Sequence, residues 1–336
     1  MKAWQIISDG GVDALHLAEV ECPEPGPGEI RVKMHANSIN YRDLTTIEDP
    51  VSRKLPYPTV PNSDGAGVVS AIGAGVTELA IGDRVASCFF SDWEAGPCSA
   101  SAMASALGGA RQGVLAEEVI LPARGVIPMP EGLSFDAAAT LPCAALTAWH
   151  ALTQPRPVIA GETVVLLGTG GVSVFAQQFC TAMGARTIVT SSSDAKLERM
   201  KALGANETIN YRTTPDWDAE VMRLTGNEGA DRIVEVGGPG TLQKSIEATR
   251  VGGTIGLIGI LTGIAGQISP TAIMRKSLTV RGIYVGPRQM FAEMNAAIAA
   301  HGLRPVIDQT FAFENAPDAY HAMRAAGHFG KLVIKL

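Results

Sequence analysis

A glycine-rich turn at residues 168–173 contains the residue types and spacing best suited to binding a cofactor. It follows the apolar, β-branched run 163–167, which predicts a buried strand, and it precedes an apolar stretch that predicts a helix to residue 183. Glycine lets the backbone turn tightly and approach a pyrophosphate, while the N–H groups and dipole of the new helix face the negative charge. This context favours dinucleotide binding over an ordinary strand–helix connection. The predicted contact residues are Gly168, Thr169, Gly170, Gly171, Val172 and Ser173, the last a small residue at the third glycine position.

Hydroxyl side chains, rather than a carboxylate, end the next predicted strand. In a dinucleotide-binding unit an acidic residue at this point hydrogen-bonds the ribose hydroxyls and favours NAD. Here Ser191, Ser192 and Ser193 can donate to a 2′-phosphate, and Lys196 can add positive charge. We interpret Asp194 as the N-cap of the following helix. The pattern favours NADPH over NADH, with a plain loop and a solvated lysine as the alternative.

Strand and helix alternate through the second half of the chain. This alternation is typical of parallel βαβ units with right-handed crossovers, and hence of a doubly wound α/β sheet. Gly237, Gly259 and Ile260 follow two of these strands, where we expect them to line the nicotinamide end of a bound dinucleotide. The predicted strands are residues 163–167, 186–190, 207–210, 232–236, 254–260 and 278–285.

The first 121 residues show a different pattern, in which short strands are separated by glycine and proline. Such a pattern predicts a partly antiparallel barrel or sandwich. Residues 95–113 have weak periodicity, which indicates an exposed loop or a loose helix. Ser134 is a predicted helix N-cap, and residues 142–152 are expected to continue as helix. At the end of the chain, a helix and a strand at residues 316–336 are expected to return to this first domain.

The composition narrows the possible functions. A chain of 336 residues with 46% hydrophobic and 18% charged residues is expected to form about two globular domains. A net charge of -6 gives no support to binding of nucleic acid or anionic membrane, and no apolar run reaches the roughly 18–20 residues that span a bilayer. The strand-like N-terminus shows no signal peptide, and the five scattered cysteines give no disulfide framework. We therefore expect a cytoplasmic protein.

A family resemblance is carried by five stretches of the chain, at residues 37–43, 60–69, 141–149, 168–173 and 328–334. Through them the chain resembles, essentially end to end, the medium-chain dehydrogenase/reductase superfamily, which includes zinc alcohol dehydrogenases and zinc-independent quinone oxidoreductases. The resemblance implies a GroES-like, partly antiparallel β-barrel domain at residues 1–125 and 300–336. It also implies a Rossmann doubly wound parallel-sheet domain at residues 126–299, with the active-site cleft between the two.

The positions that bind the catalytic zinc in part of that superfamily hold other residue types here. The resemblance places the first cysteine ligand at Asn40 and the histidine–glutamate pair at Ser63 and Asp64, which leaves Cys143 as the one matching ligand. Zinc needs three or four thiolate, imidazole or carboxylate ligands, and an amide and a hydroxyl are poor ones. The four closely spaced cysteines of the structural zinc site are also missing. We therefore expect no zinc, and Cys143 could equally be a small buried apolar residue.

Side-chain hydrogen bonds would then assist a nicotinamide cofactor, which itself carries out hydride transfer. Donors can stabilise the negative charge that spreads over a conjugated oxygen. Asn40 offers an amide donor, and Tyr41 and Ser63 offer hydroxyls. Tyr41 is the candidate proton donor, with water as the equal alternative. Asp43 and Asp64 are expected to hold the architecture of the site, and for Asp43 a helix cap or a buried anchor is the equal alternative.

Further expectations follow from the resemblance. Tyr211 matches a tyrosine that packs near the adenosine phosphate in NADPH-dependent quinone oxidoreductases, and Thr147 and Lys331 lie in matching stretches and are predicted to contact the cofactor. The strand from Leu278 to Val285 matches one that pairs across a two-fold axis, so we expect a homodimer. An aromatic substrate pocket, with core packing as the alternative for each member, is predicted from Tyr57, Phe89, Phe90 and Trp93.

The sequence thus predicts an NADPH-dependent, zinc-independent oxidoreductase that reduces quinones or activated C=C or C=O substrates by hydride transfer. Its partners would be a small-molecule substrate and a second copy of the chain, not nucleic acid or membrane. One alternative is an alcohol dehydrogenase, with or without a metal held through Cys143 and Asp64. The other is a cofactor-binding protein with little turnover.

Overall fold

The computed structural model describes every residue from Met1 to Leu336. The chain forms two compact units: unit 1 is Met1–Leu146 with Val285–Leu336, and unit 2 is Thr147–Tyr284. Unit 1 therefore includes two segments that we expected in the Rossmann domain, residues 126–146 and 285–299. The reason is that residues 126–128 pair with the strand at residues 84–87, and the Arg288 Nε atom donates to the backbone oxygen of Val126 at 2.9 Å.

Fifteen strands and eleven α-helices make up the fold. The strands are β1 Lys2–Gln5, β2 His16–Glu19, β3 Glu29–Ser38, β4 Asp64–Ile72, β5 Arg84–Ser87, β6 Glu118–Pro122, β7 Val126–Pro128, β8 Thr163–Leu167, β9 Arg186–Ser191, β10 Glu207–Asn210, β11 Ala230–Glu235, β12 Thr249–Leu257, β13 Thr279–Gly282, β14 Ile307–Ala312 and β15 Lys331–Lys335. The helices are α1 Tyr41–Glu48, α2 Ala100–Met103, α3 Phe135–Ala138, α4 Leu146–Thr153, α5 Gly171–Met183, α6 Asp194–Ala202, α7 Trp217–Leu224, α8 Pro239–Ala248, α9 Pro270–Arg275, α10 Arg288–His301 and α11 Ala316–Arg324. None of the helices has the length and apolarity needed to cross a membrane.

Unit 1 is built on a seven-stranded sheet in the order β14-β15-β3-β4-β5-β7, with β6 also paired to β3. Only the β14–β15 pairing is parallel, so the predicted partly antiparallel domain is confirmed. Along β3, the buried Ile30, Val32 and Met34 alternate with less buried residues and face the core. Strand β15 pairs antiparallel with β3, which brings the end of the chain back to this unit as expected.

Unit 2 is a six-stranded parallel sheet in the order β10-β9-β8-β11-β12-β13, which confirms the predicted Rossmann sheet. The central strand β8 is buried on both faces, and Val164, Val165 and Leu166 are fully inaccessible to solvent. Arg232 is one of the charged side chains buried in this unit. Its guanidinium donates to the backbone oxygens of Ala151 in α4 and of Gln154 and Arg156 in the segment that follows.

Two local predictions are only partly right. Residues 95–113 contain the single-turn helix α2, but Leu107 is buried, because the Arg42 guanidinium donates to the backbone oxygens of Leu107 and Gly108 and ties the segment to α1. Ser134 caps α3 as predicted, with its Oγ atom accepting the Ala137 N–H at 3.2 Å. The helix that follows is interrupted by a π-turn at Leu141–Ala145 before α4 begins.

Candidate active site

The glycine turn of unit 2 forms an open backbone cradle at the end of β8. Gly168 has a φ of 74°, in the left-handed region that favours glycine, and Gly170 is the N-cap of α5 without a side-chain cap. A Cβ atom built on either glycine would meet nothing within 4 Å. The first helical hydrogen bond runs from the Val174 N–H to the Gly170 oxygen, so the preceding N–H groups have no partner within the helix. These features fit the pyrophosphate of a dinucleotide.

Ser173 has a packing role within this turn. Its Oγ atom donates to the backbone oxygen of Leu167 at 2.6 Å, and the residue is buried. The hydroxyl therefore faces the end of β8, and the residue's small size allows α5 to pack closely on that strand, as the third position of the glycine motif requires. Val172, by contrast, is half-buried in the first turn of α5.

The end of β9 carries the predicted adenosine-side residues, with one correction. Ser193, not Asp194, is the N-cap of α6: its Oγ atom accepts the Lys196 N–H, and Asp194 is the first helical residue. The Asp194 carboxylate instead accepts a hydrogen bond at 2.7 Å from the Asn210 amide at the end of β10. The predicted N-cap was wrong by one residue, because serine and aspartate are both suitable caps and only the backbone geometry distinguishes the two positions.

Ser191 and Tyr211 lie next to each other at this end of the sheet. The Tyr211 N–H donates to the Ser191 backbone oxygen at 3.1 Å, and the tyrosine side chain is exposed. The Ser191 Oγ atom accepts the Ser193 N–H at 3.3 Å. No carboxylate lies between Ser191 and the start of α6, as the sequence indicated.

Glu235, which sequence reasoning missed, organises the loop after β11. Its Oε1 atom accepts hydrogen bonds from the Gly237 N–H at 2.8 Å, the Gly238 N–H at 3.0 Å and the Thr241 hydroxyl at 2.6 Å, and its Oε2 atom accepts one from the Ser245 hydroxyl. The side chain is fully buried. A carboxylate that is buried in a strand needs hydrogen-bond donors around it. The presence of Glu235 at the end of a predicted buried strand was therefore the sequence signal that could have identified this residue.

Unit 1 contains a second group of polar residues, which we call the Asn40 cluster: the buried Asn40, Asp43, Asp64 and Lys331, and the half-buried Cys143. Asp43 anchors the start of α1, because its Oδ2 atom accepts the Asn40 backbone N–H at 2.8 Å. The Lys331 Nζ atom donates to Asn40 Oδ1 at 2.6 Å and to the Ile39 backbone oxygen at 2.7 Å. Lys331 therefore contacts the predicted catalytic amide, and its assignment to the cofactor stays a prediction.

Asp64 is the buried carboxylate of the cluster. Its Oδ1 atom accepts the Ser63 hydroxyl at 2.6 Å, and its Oδ2 atom accepts the Cys143 N–H at 2.9 Å. Burial raises the pKa of Asp64 to about 6, against the opposing attraction of the Lys331 ammonium. The Ser63 hydroxyl hydrogen is thus directed at Asp64 rather than toward a ligand.

Burial also perturbs two other titratable groups of the cluster, Lys331 and Cys143. Burial lowers the pKa of Lys331, while the neighbouring Asp64 acts in the opposite direction. Burial, and then the charge of Asp64, raise the pKa of the Cys143 thiol far above its usual range, so the thiol keeps its proton.

Comparison with known proteins assigns both units to one superfamily. The family model described as "alcohol dehydrogenase GroES-like domain" matches residues 26–131, and the one described as "zinc-binding dehydrogenase" matches residues 171–300. A zinc-type alcohol dehydrogenase-like protein of Schizosaccharomyces pombe is 42% identical over 338 residues, which cover 97% of this chain and 96% of that protein. The chain is a medium-chain dehydrogenase/reductase.

The names of other relatives of this medium-chain dehydrogenase/reductase mention different substrates and different cofactors. A quinone oxidoreductase of Rattus norvegicus is 26% identical over 345 residues, covering 100% of this chain and 98% of its own. A crystal structure of an NAD-dependent alcohol dehydrogenase is 35% identical, with a TM-score of 0.90 and full coverage of both chains. A mycobacterial protein solved in complex with NADPH is 25% identical, with a TM-score of 0.84 and full coverage of both chains. The chain thus belongs among oxidoreductases.

The matching family description raises the question of whether the residues of this medium-chain dehydrogenase/reductase fit a zinc ion. At the positions that the resemblance gave to ligands, Asn40 Oδ1 faces the Lys331 ammonium and the Ser63 hydroxyl faces Asp64. Cys143 supplies one sulfur ligand, whereas zinc needs three or four thiolate, imidazole or carboxylate ligands. A fixed ammonium beside the site would also repel a divalent cation. Nowhere in the chain do three His, Cys, Asp or Glu side chains converge to hold a metal. This set of donors does not fit a tetrahedral zinc site.

The other predicted site residues lie in different surroundings. Tyr41 is the first residue of α1 and is exposed, so its role as proton donor stays a prediction. Phe89, Phe90 and Trp93 are buried and contact one another edge to face, with ring centroids 4.7 and 5.7 Å apart, which places them in the core. Tyr57 is exposed.

Apart from Lys331, the predicted cofactor residues outside the glycine turn and the end of β9 lie in unit 2. Thr147 is buried in α4, whereas Ile260 is exposed after β12. Gly259 has no room for a side chain, because a Cβ atom there would lie 1.7 Å from the Val236 oxygen. Gly237 is similarly restricted by the Thr241 side chain. Their cofactor contacts stay predictions.

Proposed function

We propose that this medium-chain dehydrogenase/reductase is an NADPH-dependent, zinc-independent oxidoreductase that reduces quinones or activated C=C or C=O substrates. The observation that supports zinc independence is the hydrogen bond from the Lys331 ammonium to Asn40 Oδ1. The bond joins a lysine ammonium to the Asn40 amide, and by the family resemblance Asn40 stands where a zinc enzyme of the superfamily has a cysteine ligand. Simple alcohol oxidation would lose the stabilisation that a metal gives to an alkoxide.

Each part of the chemistry has a proposed group. Bound NADPH supplies the hydride, which adds both electrons and one hydrogen to a carbon of the substrate. The Asn40 amide donates a hydrogen bond to the substrate oxygen on which negative charge develops. Tyr41 or water supplies the proton that completes the reduction. Asp43 fixes the backbone of Asn40, and the backbone N–H groups at the start of α5 hold the pyrophosphate.

The preference for NADPH rests on the end of β9. Ser191 and Ser192 present hydroxyls where NAD-binding units have a carboxylate, and the Asp194 carboxylate is already hydrogen-bonded to Asn210. We expect Ser192→Asp to reduce kcat/KM for NADPH by about tenfold or more, through repulsion of the 2′-phosphate, and to change kcat/KM for NADH much less. Ser192→Ala is the matched control. Equal effects on the two cofactors would contradict the assignment.

An oxidation assay tests the proposed function. NADPH and NADH are offered to the purified protein with quinones, enones, aldehydes and ketones, with and without a chelator, and bound metal is measured in the same preparation. We expect turnover of quinones or enones with NADPH, unchanged by chelation, in protein without stoichiometric zinc. Turnover restricted to alcohols and simple aldehydes, lost together with zinc, would refute the proposal.

The alcohol dehydrogenase remains the second candidate because the Schizosaccharomyces pombe relative and one solved relative carry that name. The same assay distinguishes the two candidates by substrate class and by chelation. A fluorescence change on binding NADPH without any oxidation across the panel would instead favour a cofactor-binding protein with little turnover. The homodimer and the cytoplasmic location stay predictions.

A further inference from the structure

We propose that Lys331 is a positioning residue that orients and polarises the Asn40 amide for the reduction. This inference rests on the proposed function and extends it to a residue that the sequence assigned to the cofactor. Lys331 is the first residue of β15 and is 3% exposed, and Asn40 is 7% exposed at the N-cap of α1. The two residues are separated by 291 positions in the chain and meet only in the folded unit.

The hydrogen bond determines which way the amide faces. The oxygen and nitrogen of an asparagine side chain have nearly the same shape, so packing alone does not choose between them. An ammonium group has three donors and no acceptor, so only the amide oxygen can face it. The Lys331 Nζ atom lies 2.6 Å from Asn40 Oδ1 and is held a second time by the Ile39 oxygen at 2.7 Å. The Nδ2 atom of Asn40 must therefore face away from the lysine.

The opposite end of the amide is a buried donor that the protein does not fully satisfy. Asn40 Nδ2 has no hydrogen-bond partner of good geometry in the protein, although a hydrogen bond from the Asn40 side chain toward Asp64 helps to lower the pKa of that carboxyl. An NH2 group carries two hydrogens, so attraction toward Asp64 still leaves one for a ligand. Buried polar groups are normally satisfied, and an exception needs an explanation. A substrate oxygen would satisfy this donor.

The ammonium also makes Asn40 a stronger donor. A positive charge on the oxygen side of an amide draws electron density toward that oxygen and increases the positive charge on the N–H hydrogens. The effect is larger inside a protein than in water because the dielectric constant is lower. Negative charge that develops on the substrate oxygen therefore interacts with Lys331 through the amide. The lysine in this way does part of the work that a metal would otherwise do.

A double-mutant cycle in the purified full-length protein tests this coupling. Asn40→Ala, Lys331→Met and the double variant are compared with wild type for kcat and KM with the best substrate of the assay above. We expect Asn40→Ala to lower kcat by about 100-fold and Lys331→Met by at least about tenfold, with little change in the KM for NADPH. The double variant should be no more than about twofold worse than Asn40→Ala, because the lysine acts through the amide. Losses in kcat that multiply would overturn the proposal.

A second lysine provides a matched control for lost stability. Lys276 in unit 2 also places its ammonium on backbone oxygens, those of Ile246, Glu247 and Thr249. Lys276→Met should lower the melting temperature and leave kcat unchanged. If Lys331→Met does not accumulate as folded protein, Lys331→Gln keeps a neutral donor at the site and should show the same coupling with a smaller loss of kcat.

A readout that does not depend on turnover separates this inference from the proposed function. In protein labelled with ¹⁵N-asparagine, the Asn40 side-chain NH2 signal is assigned by its loss in Asn40→Ala. We expect that signal to move in Lys331→Met and to stay in place in Lys276→Met. A signal unmoved by Lys331→Met would overturn the positioning role. A wild-type protein without turnover would instead refute the proposed function, and the NMR signal would still decide whether Lys331 holds the amide.

Discussion

Tyr320 in α11 donates its phenolic hydrogen to the Oδ1 atom of Asn62 at 2.5 Å, across 258 positions of the chain. Burial raises the pKa of Tyr320 well above its usual value, so the phenol stays protonated and can donate. Asn62 is fully buried and has a φ of 69°, a left-handed conformation that asparagine tolerates better than most residues. Ser63 and Asp64 follow Asn62 directly in the chain. The contact between Tyr320 and Asn62 therefore helps to fix the position of the Asp64 carboxylate in the Asn40 cluster.

Removing that hydroxyl should destabilise the fold. Tyr320→Phe leaves the buried Asn62 oxygen without its partner, which costs about 1–3 kcal/mol of unfolding free energy. Denaturant unfolding measures this loss. Tyr57→Phe removes a hydroxyl from an exposed side chain and should change the unfolding free energy by less than about 0.5 kcal/mol. Equal values for the two variants would contradict the role of the contact.

The raised pKa of Asp64 predicts a pH dependence of stability. The folded protein keeps a proton on Asp64 up to about pH 6, whereas the unfolded chain loses it near the ordinary value of 3.8. Between these pH values the folded state binds more protons, so the unfolding free energy falls as the pH rises. Asp64→Asn removes this titration. The unfolding free energy of Asp64→Asn minus that of wild type, measured by denaturant titration, should increase by up to about 3 kcal/mol from pH 4 to pH 7. A difference that stays constant over this pH range would contradict the prediction.

The cradle at α5 predicts a charge effect on cofactor binding. Val172 is half-buried in the first turn, so Val172→Asp places a carboxylate beside the pyrophosphate without burying it. We expect NADPH to bind about tenfold more weakly by fluorescence titration, with stability unchanged or slightly raised by the helix dipole. Gln289→Asp in the first turn of α10 is the control, because it adds the same charge to a helix of unit 1. A Val172→Asp protein with wild-type affinity would rule out this placement of the pyrophosphate.

Glu235 predicts a link between stability and the loop that carries Gly237. Glu235→Met would leave two N–H groups and two hydroxyls without their acceptor, at a cost of about 3 kcal/mol or more. Glu235→Gln keeps one oxygen acceptor for Gly237 and should cost clearly less. Unfolding free energy and the KM for NADPH are measured for both. Similar stability of the two variants would show that the hydrogen bonds of the carboxylate are dispensable.

The outer edge of β13 predicts how a homodimer would form. The Ile283 N–H donates to the Leu257 oxygen, and successive N–H groups of a strand point to opposite edges, so the Gly282 N–H faces away from β12. Gly282→Pro removes this donor and should convert dimer to monomer in light scattering. Gly282→Ala keeps the donor, and its Cβ atom meets nothing within 4 Å, so it should stay dimeric. A monomeric wild type would refute the expected dimer itself.

The sequence by itself determined the features that depend on neighbouring residues. The buried strand, glycine turn and helix around Gly168 lie within 21 residues of each other, from Thr163 to Met183, and the alternation of strands and helices extends the same local pattern through unit 2. From the family resemblance, the sequence also predicted that Asn40 and Ser63 stand where zinc enzymes of the superfamily have ligands. Where local cues were ambiguous, as between Ser193 and Asp194 at the start of α6, the prediction was wrong by one residue.

Only the tertiary structure decided which polar groups meet. Three of these contacts, Asp64 with the Cys143 N–H, Tyr320 with Asn62 and Lys331 with Asn40, join residues 79 to 291 positions apart, and no sequence pattern specifies such pairings. A buried charge or amide must find a partner somewhere in the fold, but its identity depends on how the sheet of unit 1 brings β3, β4 and β15 together. The sequence therefore named the amide at residue 40, and the fold supplied the lysine that orients it.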